Sequence, residues 1–268
     1  MSTGNDSLLH GDLPVQVPEV NNITMDDPWR WIAAGWQDMK RVPLLSLSYG
    51  LLFVLASFLL TGLFVSLGMF FFIPALAAGF FLLSPLLAMG LYEVSRVLAS
   101  DGEPTLGGTL MVWRRATFNL LAMGLVLLIG FLIWVLLSNL VFAITFTGVT
   151  PDLENALTVL FFSGDSPAFM ASGLLVGGLL ALGVFCISVV SVPMIIDRNA
   201  DVMGAVYTSV RCVRHNPRPL MLWAALIVMF VGLGLVTFFL GLILFMPLVG
   251  HASWHAYSDL VGKNTATR

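Results

Sequence analysis

The stretch GHASWHAYSDL, residues 250–260, holds the residue types best suited to binding a metal or a haem. His251 and His255 are four residues apart, so they share one face of a helix, and Asp259 follows at the same spacing. Two imidazoles can begin a zinc or haem site, but a zinc site needs three or four protein ligands. Asp259 lies two helical turns, about 12 Å, from His251, so the three side chains cannot surround one ion. We therefore predict no metal, no cofactor and no catalytic residues.

The elements that must position these residues are membrane helices. Of 268 residues, 58% are hydrophobic and 10% are charged, whereas soluble globular proteins carry about 25% charged residues. This composition is typical of an integral membrane protein. A spanning helix needs about 20 predominantly apolar residues. Dividing the runs without charged residues by that length predicts helices at about residues 43–67, 73–96, 117–147, 168–196, 219–239 and 241–260.

The basic residues decide between five and six helices, because the last apolar run holds either one long helix or two short ones. With six helices, all twelve Lys and Arg residues fall on one side, which the positive-inside rule makes cytoplasmic. With five, Lys263 and Arg268 fall on the other side. The loop at 147–167 has acidic residues and no basic ones, as an external loop should. We therefore predict six helices with both termini cytoplasmic.

The domain organisation follows from these spans. The N-terminal segment is polar and acidic and lacks a basic region followed by an apolar core, so it is not a signal peptide. We predict a disordered cytoplasmic tail over residues 1–25. A single transmembrane domain is predicted over residues 26–262, followed by a short cytoplasmic C-terminus over residues 263–268.

An internal repeat predicts how the helices are arranged. Segments starting at Ala33, Thr109 and Gly204 are amphipathic, become basic and then enter the membrane, which is typical of helices in the interface plane. The predicted fold is all-α, with six transmembrane helices as three hairpins, each preceded by an amphipathic interfacial helix. A proline followed by polar residues also marks the end of each even-numbered helix (Pro85, Pro193 and Pro247).

The polar residues at these helix ends predict a cluster at the cytoplasmic rim of the bundle. In this cluster the imidazoles would bond to lipid headgroups, to water or to the neighbouring carboxylates of Glu93 and Asp197. Clustered basic residues at the rim can also attract anionic lipid headgroups. The predicted cluster consists of Glu93, Arg96, Arg115, Asp197, Arg198, His251 and His255.

The motifs present and absent limit the function classes. Ionisable residues inside the membrane mark proton, ion and substrate paths, and the predicted spans have none at mid-membrane. The sequence has no GxSxG, P-loop or HExxH motif. We therefore expect a non-enzymatic accessory or assembly factor for a membrane complex. The alternative is a transporter or lipid-handling protein with a cavity between helical hairpins.

The partners expected from the sequence are the lipid bilayer and other helices, with no nucleic acid. Gly173 and Gly177 have the GxxxG spacing that lets a second helix approach closely. That helix belongs either to this chain, to a second copy or to another membrane protein, and internal packing is the favoured interpretation.

Three segments resemble a known family: PLLAMGLYEVSR, PMIIDRNADVMGAVYTSVRCVRHNPRPLMLWA and PLVGHASWHAYSDLV. With them, residues 28–262 are similar to bacterial integral membrane proteins catalogued as a domain of unknown function, and GHASWHAY is the most specific part. Members have sometimes been labelled similar to cytochrome c oxidase subunit I. An oxidase core needs several intramembrane histidines, and this chain has four histidines in all. The resemblance implies a protein of the bacterial inner membrane and no catalytic residues.

Overall fold

The computed structural model describes residues 18–69, 72–114, 118–145 and 166–261. These residues form eleven helices and one isolated antiparallel bridge between Val20 and Val261. The helices are α1 (Asp27–Arg41), α2 (Pro43–Ser66), α3 (Ile73–Leu87), α4 (Met89–Ala99), α5 (Leu106–Arg114), α6 (Phe118–Thr145), α7 (Ser166–Ser188), α8 (Ser191–Arg198), α9 (Val202–His215), α10 (Pro217–Val236) and α11 (Leu242–Leu260).

Five stretches of the described chain are long and apolar enough to cross a membrane. They are α2, α3 with α4 (Ala75–Ala99), α6, α7 with α8 (Pro167–Arg198), and α10. They coincide with the first five predicted helices. The sixth predicted helix forms as α11, but it is not among the five, because the sequence becomes polar from His251 onward.

Two of the predicted helices, 73–96 and 168–196, are each divided in two. Pro85 has no N–H to donate to the carbonyl of Phe81, and the Ser84 hydroxyl donates to that carbonyl instead, at 2.8 Å. The helix then breaks at Ala88. The second break falls just before Pro193, and here the Ser209 hydroxyl of α9 donates to a carbonyl of α7, at 2.8 Å. The breaks separate α4 and α8 from the apolar helices that precede them.

The third proline, Pro247, lies inside α11 and does not break it. Proline at this position leaves the carbonyl of Ile243 without its helical N–H partner. Gly50 of α2 packs directly against this carbonyl: a Cβ added at Gly50 would lie 2.2 Å from the Ile243 oxygen. The missing side chain at Gly50 is what lets α2 and α11 come this close.

Charged side chains gather at one end of the bundle. The Lys and Arg residues whose side chains the structure describes lie in α1, α4, α8, α9 and the first turn of α10. α1, α4 and α8 pack against α11, and Trp31 of α1 makes an edge-to-face contact with Trp223 of α10, with ring centroids 5.6 Å apart. We call the end formed by α1, α4, α5, α8, α9 and the second half of α11 the polar end.

The segment before α1 is fastened to the polar end. The Asn21 N–H donates to the Leu260 carbonyl at 3.0 Å, and the side chain of Asn216 bonds to the backbone of both Asn21 and Ile23. Residues 1–17 of the tail predicted over residues 1–25 lie outside the described residues, and so does the C-terminus predicted over 263–268. Residues 18–25 are held against the protein.

Candidate functional site

The structure places His251 inside the bundle. It is 0% exposed, and both of its ring nitrogens are used within the protein. Its Nε2 lies 2.9 Å from Ser46 Oγ of α2, and its Nδ1 lies 2.8 Å from Ser95 Oγ of α4. The prediction that this imidazole bonds to headgroups, water or the rim carboxylates is wrong, because α2 and α4 close over it.

Asp38 of α1 continues this chain of hydrogen bonds. Ser95 Oγ donates to Asp38 Oδ2 at 2.7 Å, and His255 Nε2 lies 2.8 Å from the same oxygen. Burial raises the pKa of the Asp38 carboxyl, but the hydrogen bonds from His255 and Ser95 and the nearby imidazoles lower it more. Its pKa therefore lies below the usual 3.8, and Asp38 is ionised at neutral pH.

The charge on Asp38 sets the direction of the hydrogen bonds that Ser95 makes. An ionised carboxylate only accepts, so Ser95 must donate its single proton to it. Ser95 then accepts from the Nδ1–H of His251. With the single ring proton of a neutral imidazole on Nδ1, the Nε2 of His251 accepts from Ser46. We call the five residues Ser46, His251, Ser95, Asp38 and His255 the buried relay.

The buried relay connects four helices rather than opening to a substrate. Ser46 is 0% exposed, so its hydroxyl is not placed to attack an external molecule. The five residues of the buried relay come from α1, α2, α4 and α11. A satisfied buried polar network of this kind fixes the relative positions of the helices. Sequence reasoning missed Asp38, Ser46 and Ser95. The sequence offered a signal for Asp38 alone, an acidic residue at helical spacing from Trp31 and Gly35 on α1.

The predicted rim cluster is divided among different contacts. Arg96 makes a two-pronged ion pair with Glu93, with both donor–acceptor distances at 2.7 Å. The Tyr257 hydroxyl donates to Asp197 at 2.7 Å and accepts from Arg198 Nε at 2.9 Å. His251 and His255 belong to the buried relay instead, and Arg115 lies outside the described residues.

A shallow cavity of about 270 Å³ lies beside these pairs at the polar end. It is bordered by Arg96 and Ala99 of α4, by Asp197 and Arg198 of α8 and by the last turns of α11. We call this space the rim depression. It brings Arg96 and Arg198, which are 102 positions apart in the sequence, to one surface.

A larger cavity of about 480 Å³ lies within the bundle, between α3, α4, α7, α10 and α11. Its lining is almost entirely apolar, and its opening is bordered by the exposed side chains of Leu174, Leu182 and Val228. α7 and α10 stand on either side of this opening and scarcely touch each other. We call this space the lateral cavity.

The hydroxyl groups that border the lateral cavity are already satisfied. Ser84, Ser188 and Ser253 each donate to a carbonyl of their own helix, at 2.7–2.8 Å. The remaining hydroxyl, that of Tyr92, lies beside Ser253. The cavity therefore offers its contents apolar contacts and few polar ones.

The two glycines of the GxxxG motif have different surroundings. A Cβ at Gly177 would lie 2.8 Å from the Trp134 ring of α6, whereas a Cβ at Gly173 would have no atom within 4 Å. Internal packing, the favoured interpretation, is confirmed for Gly177. Gly173 is open to a helix from outside.

The described residues contain no group of three His, Cys, Asp or Glu side chains that could hold a metal ion. Asp259, the third residue of the opening motif, instead accepts a hydrogen bond from the Trp31 indole at 2.8 Å. The motif is thus divided between the buried relay and a helix contact.

The comparison with protein families agrees with this architecture. Residues 72–197, a little under half of the chain, match the model of a family described as predicted integral membrane protein (DUF2189). The chain is an integral membrane protein. The matched stretch runs from the start of α3 almost to the end of α8, so it contributes three of the five helices that border the lateral cavity. Searches of curated proteins and of solved structures gave no match.

Proposed function

We propose that this protein is a non-enzymatic lipid-handling protein that takes a lipid hydrocarbon chain into the lateral cavity. The observation that carries the proposal is an apolar space of about 480 Å³ between the hairpins, bordered by exposed leucine and valine side chains. Cavities of this size are large enough to bury a ligand of lipid-chain dimensions.

A hydrocarbon chain suits this cavity better than water does. A buried water molecule needs two to four polar partners, and the serine hydroxyls of the cavity already donate to their own helices. An empty space would deprive the lining side chains of dispersion contacts. Because lipid chains are as apolar as leucine, selectivity in this environment comes from shape and packing rather than from the hydrophobic effect.

We infer six spans as three hairpins, with both termini at the cytoplasmic side of a bacterial inner membrane. α11 runs antiparallel to α2, as the pairs Ser46–His251 and Gly50–Ile243 indicate. The bridge between Val20 and Val261 supports an arrangement with both chain ends at the polar end. The basic residues gathered there support a cytoplasmic orientation.

Substitution of Gly178 tests the proposed function. Gly178 borders the lateral cavity, and a Cβ there meets no atom within 4 Å, so Gly178→Leu fills the space without a backbone clash. Gly183 lies on the same helix, is equally open and does not border the cavity, so Gly183→Leu is the matched control.

The measurement is the amount of lipid retained by the protein after purification in mild detergent, determined by native mass spectrometry. We expect the wild type and Gly183→Leu to retain about one lipid per chain and Gly178→Leu to lose most of it. Equal lipid content in all three proteins would show that the cavity does not hold the lipid.

A second candidate function is supported by the open Gly173. We propose that this face of α7 contacts a helix of another membrane protein or of a second copy, as an accessory or assembly factor would require. Gly173→Leu should lower the fraction of cross-linked complexes in native membranes, and Gly183→Leu should not. A monomeric wild-type protein with no cross-linked membrane partner would exclude this role.

A further inference from the structure

Helix α1 leaves two large apolar side chains exposed. Trp29 is 53% exposed and Trp36 is 42% exposed, whereas Trp31 of the same helix is buried against Trp223 of α10. An exposed apolar patch on a folded protein marks a site of contact with a membrane or with another protein. The composition of the sides of α1 and its level in the bundle decide between these two partners.

Around its axis, α1 has three sides of different composition, because successive residues of a helix are about 100° apart. The side against the bundle consists of the buried residues Asp27, Pro28, Trp31, Gly35, Asp38 and Met39. The exposed surface divides into two further sides. We call the first the tryptophan side, and it consists of Trp29, Ala33, Trp36 and, in the last turn, Lys40. We call the second the hydrophilic side, and it consists of Arg30, Gln37 and Arg41.

The contacts of α1 place it at the level where the spanning helices begin. One residue, Val42, separates α1 from α2. The ring of Trp31 meets that of Trp223, in the second turn of α10, with centroids 5.6 Å apart. A Cβ at Gly35 would lie 2.9 Å from the Leu248 carbonyl oxygen of α11. α1 therefore lies beside the ends of the apolar helices, where the hydrocarbon core of a bilayer meets its headgroups.

We propose that α1 lies in the headgroup layer of the membrane, with its tryptophan side towards the lipid and its hydrophilic side towards water. Tryptophan is favoured at this depth because its ring is largely apolar while its N–H still reaches hydrogen-bond partners. Lys40 fits the same side, since its hydrocarbon stem lies along the lipid while its ammonium group extends to the headgroups. The tryptophan side also continues into α2, where Leu44 in the first turn is exposed. The partner of this surface is the bilayer itself, not the single lipid chain of the lateral cavity.

Helix α9 holds the same place before α10 and exposes side chains of the same kinds. Asn216 alone separates the two helices. Met203 and Tyr207, one turn apart, are exposed, and the Arg211 guanidinium group lies 5.8 Å from the centroid of the Tyr207 ring. α9 packs on α7 and α8, and α1 packs on α11. α9 therefore offers the headgroup layer a second surface at another part of the bundle.

Two cysteine variants test the sides of α1. Ala33→Cys lies on the tryptophan side and Gln37→Cys, one turn later, lies on the hydrophilic side, and both positions are exposed. A nitroxide label is attached to each protein in nanodiscs of phosphatidylethanolamine and phosphatidylglycerol, and the labelled wild type gives the background from Cys186 and Cys212. Electron paramagnetic resonance then compares relaxation by oxygen, which dissolves in hydrocarbon, with relaxation by a water-soluble nickel chelate.

We expect the label of Ala33→Cys to lie about 5–10 Å inside the boundary between headgroups and acyl chains, where oxygen reaches it and the chelate does not. The label of Gln37→Cys should be reached by the chelate. Equal access of the chelate to both labels would overturn the proposal, because the tryptophan side would then face water. Poor access of both reagents to the label of Ala33→Cys would also overturn it, because protein would then cover that side.

A second measurement follows the tryptophans themselves. Lipids brominated near the headgroup quench the emission of tryptophan rings that contact them. Trp29→Phe with Trp36→Phe should lower the fraction of tryptophan emission that these lipids quench, whereas Trp254→Phe, at a buried ring, should not lower it. An unchanged quenched fraction in the double variant would contradict a lipid contact at these two side chains.

Discussion

The two faces of α11 are built in opposite ways. Towards α1, α2 and α4 it presents His251 and His255, whose ring nitrogens bond to Ser46, Ser95 and Asp38. Towards α3, α7 and α10 it presents Met246 and Val249, which border a space of about 480 Å³. The first face fixes helix positions through directional hydrogen bonds, and the second leaves room for a flexible chain. One helix thus divides a rigid half of the bundle from an adaptable half.

The face of α11 directed towards α1, α2 and α4, which we call the rigid face, should lose stability when its shared acceptor Asp38 is removed. Asp38→Ala removes the oxygen to which both Ser95 and His255 bond, and it should lower the free energy of unfolding by about 3 kcal/mol or more. Chemical unfolding in detergent, followed by tryptophan fluorescence, measures the loss. Asp26→Ala, at an exposed position just before α1, should change it by less than about 0.5 kcal/mol. A similar small loss for Asp38→Ala would mean that the buried relay contributes little to stability.

The contact between α2 and α11 should tolerate no added atoms. Gly50→Ala places a Cβ 2.2 Å from the Ile243 carbonyl oxygen, so the helices must separate, at a cost of about 2 kcal/mol. Gly62→Ala, in the same helix, meets no atom within 4 Å and should be neutral or slightly stabilising. Comparable melting temperatures for the two variants would contradict the close packing of this face.

Acid should weaken the rigid face through Asp38. Its pKa in the folded protein is lower than in the unfolded chain, so its contribution is fully present above the unfolded value of 3.8. The contribution is lost as the pH falls through the lower, folded pKa. The free energy of unfolding should therefore decline below about pH 4 in the wild type, and the decline should be shallower in Asp38→Asn. Parallel profiles for the two proteins would assign the acid sensitivity to other groups.

The adaptable face should accept a small added group. Gly178→Ala adds a methyl group at the border of the lateral cavity with no atom within 4 Å, and the gain in helix propensity should raise stability by up to about 1 kcal/mol. The thermal unfolding temperature, compared with that of Gly50→Ala, gives the contrast between the two faces. A loss as large as that of Gly50→Ala would show that the cavity is closed at this point.

Sequence patterns predicted the apolar helices well, because length and composition determine which segments a membrane can hold. α2 and α11 begin and end within one residue of their predicted bounds, and α10 within three. The breaks at Ala88 and before Pro193 were not predicted, since a proline near a helix end either kinks, breaks or is tolerated according to what bonds to the freed carbonyl. Pro247 shows the third outcome, with Gly50 packed against that carbonyl.

The candidate site was predicted only in part. Glu93 with Arg96 and Asp197 with Arg198 lie at the polar end, as their positions at helix ends indicated. Asp38 was missed because, on α1, the charged residue is buried while Trp29 and Trp36 are 53% and 42% exposed. A hydropathy scale would place the tryptophans inside and the aspartate outside, the opposite of the observed burial. The observed arrangement is stable because tryptophan suits an interface and a paired carboxylate can be buried.

The amino-acid sequence by itself determined that this chain belongs in a membrane, where its helices lie along the chain and which ends carry charge, because these depend on local composition. Only the tertiary structure decided that Ser46, Ser95 and Asp38 meet the histidines of GHASWHAYSDL, and that a cavity remains on the other side of the same helix. Both depend on how closely α11 approaches each neighbour, and that distance is set by contacts between residues as many as 228 positions apart.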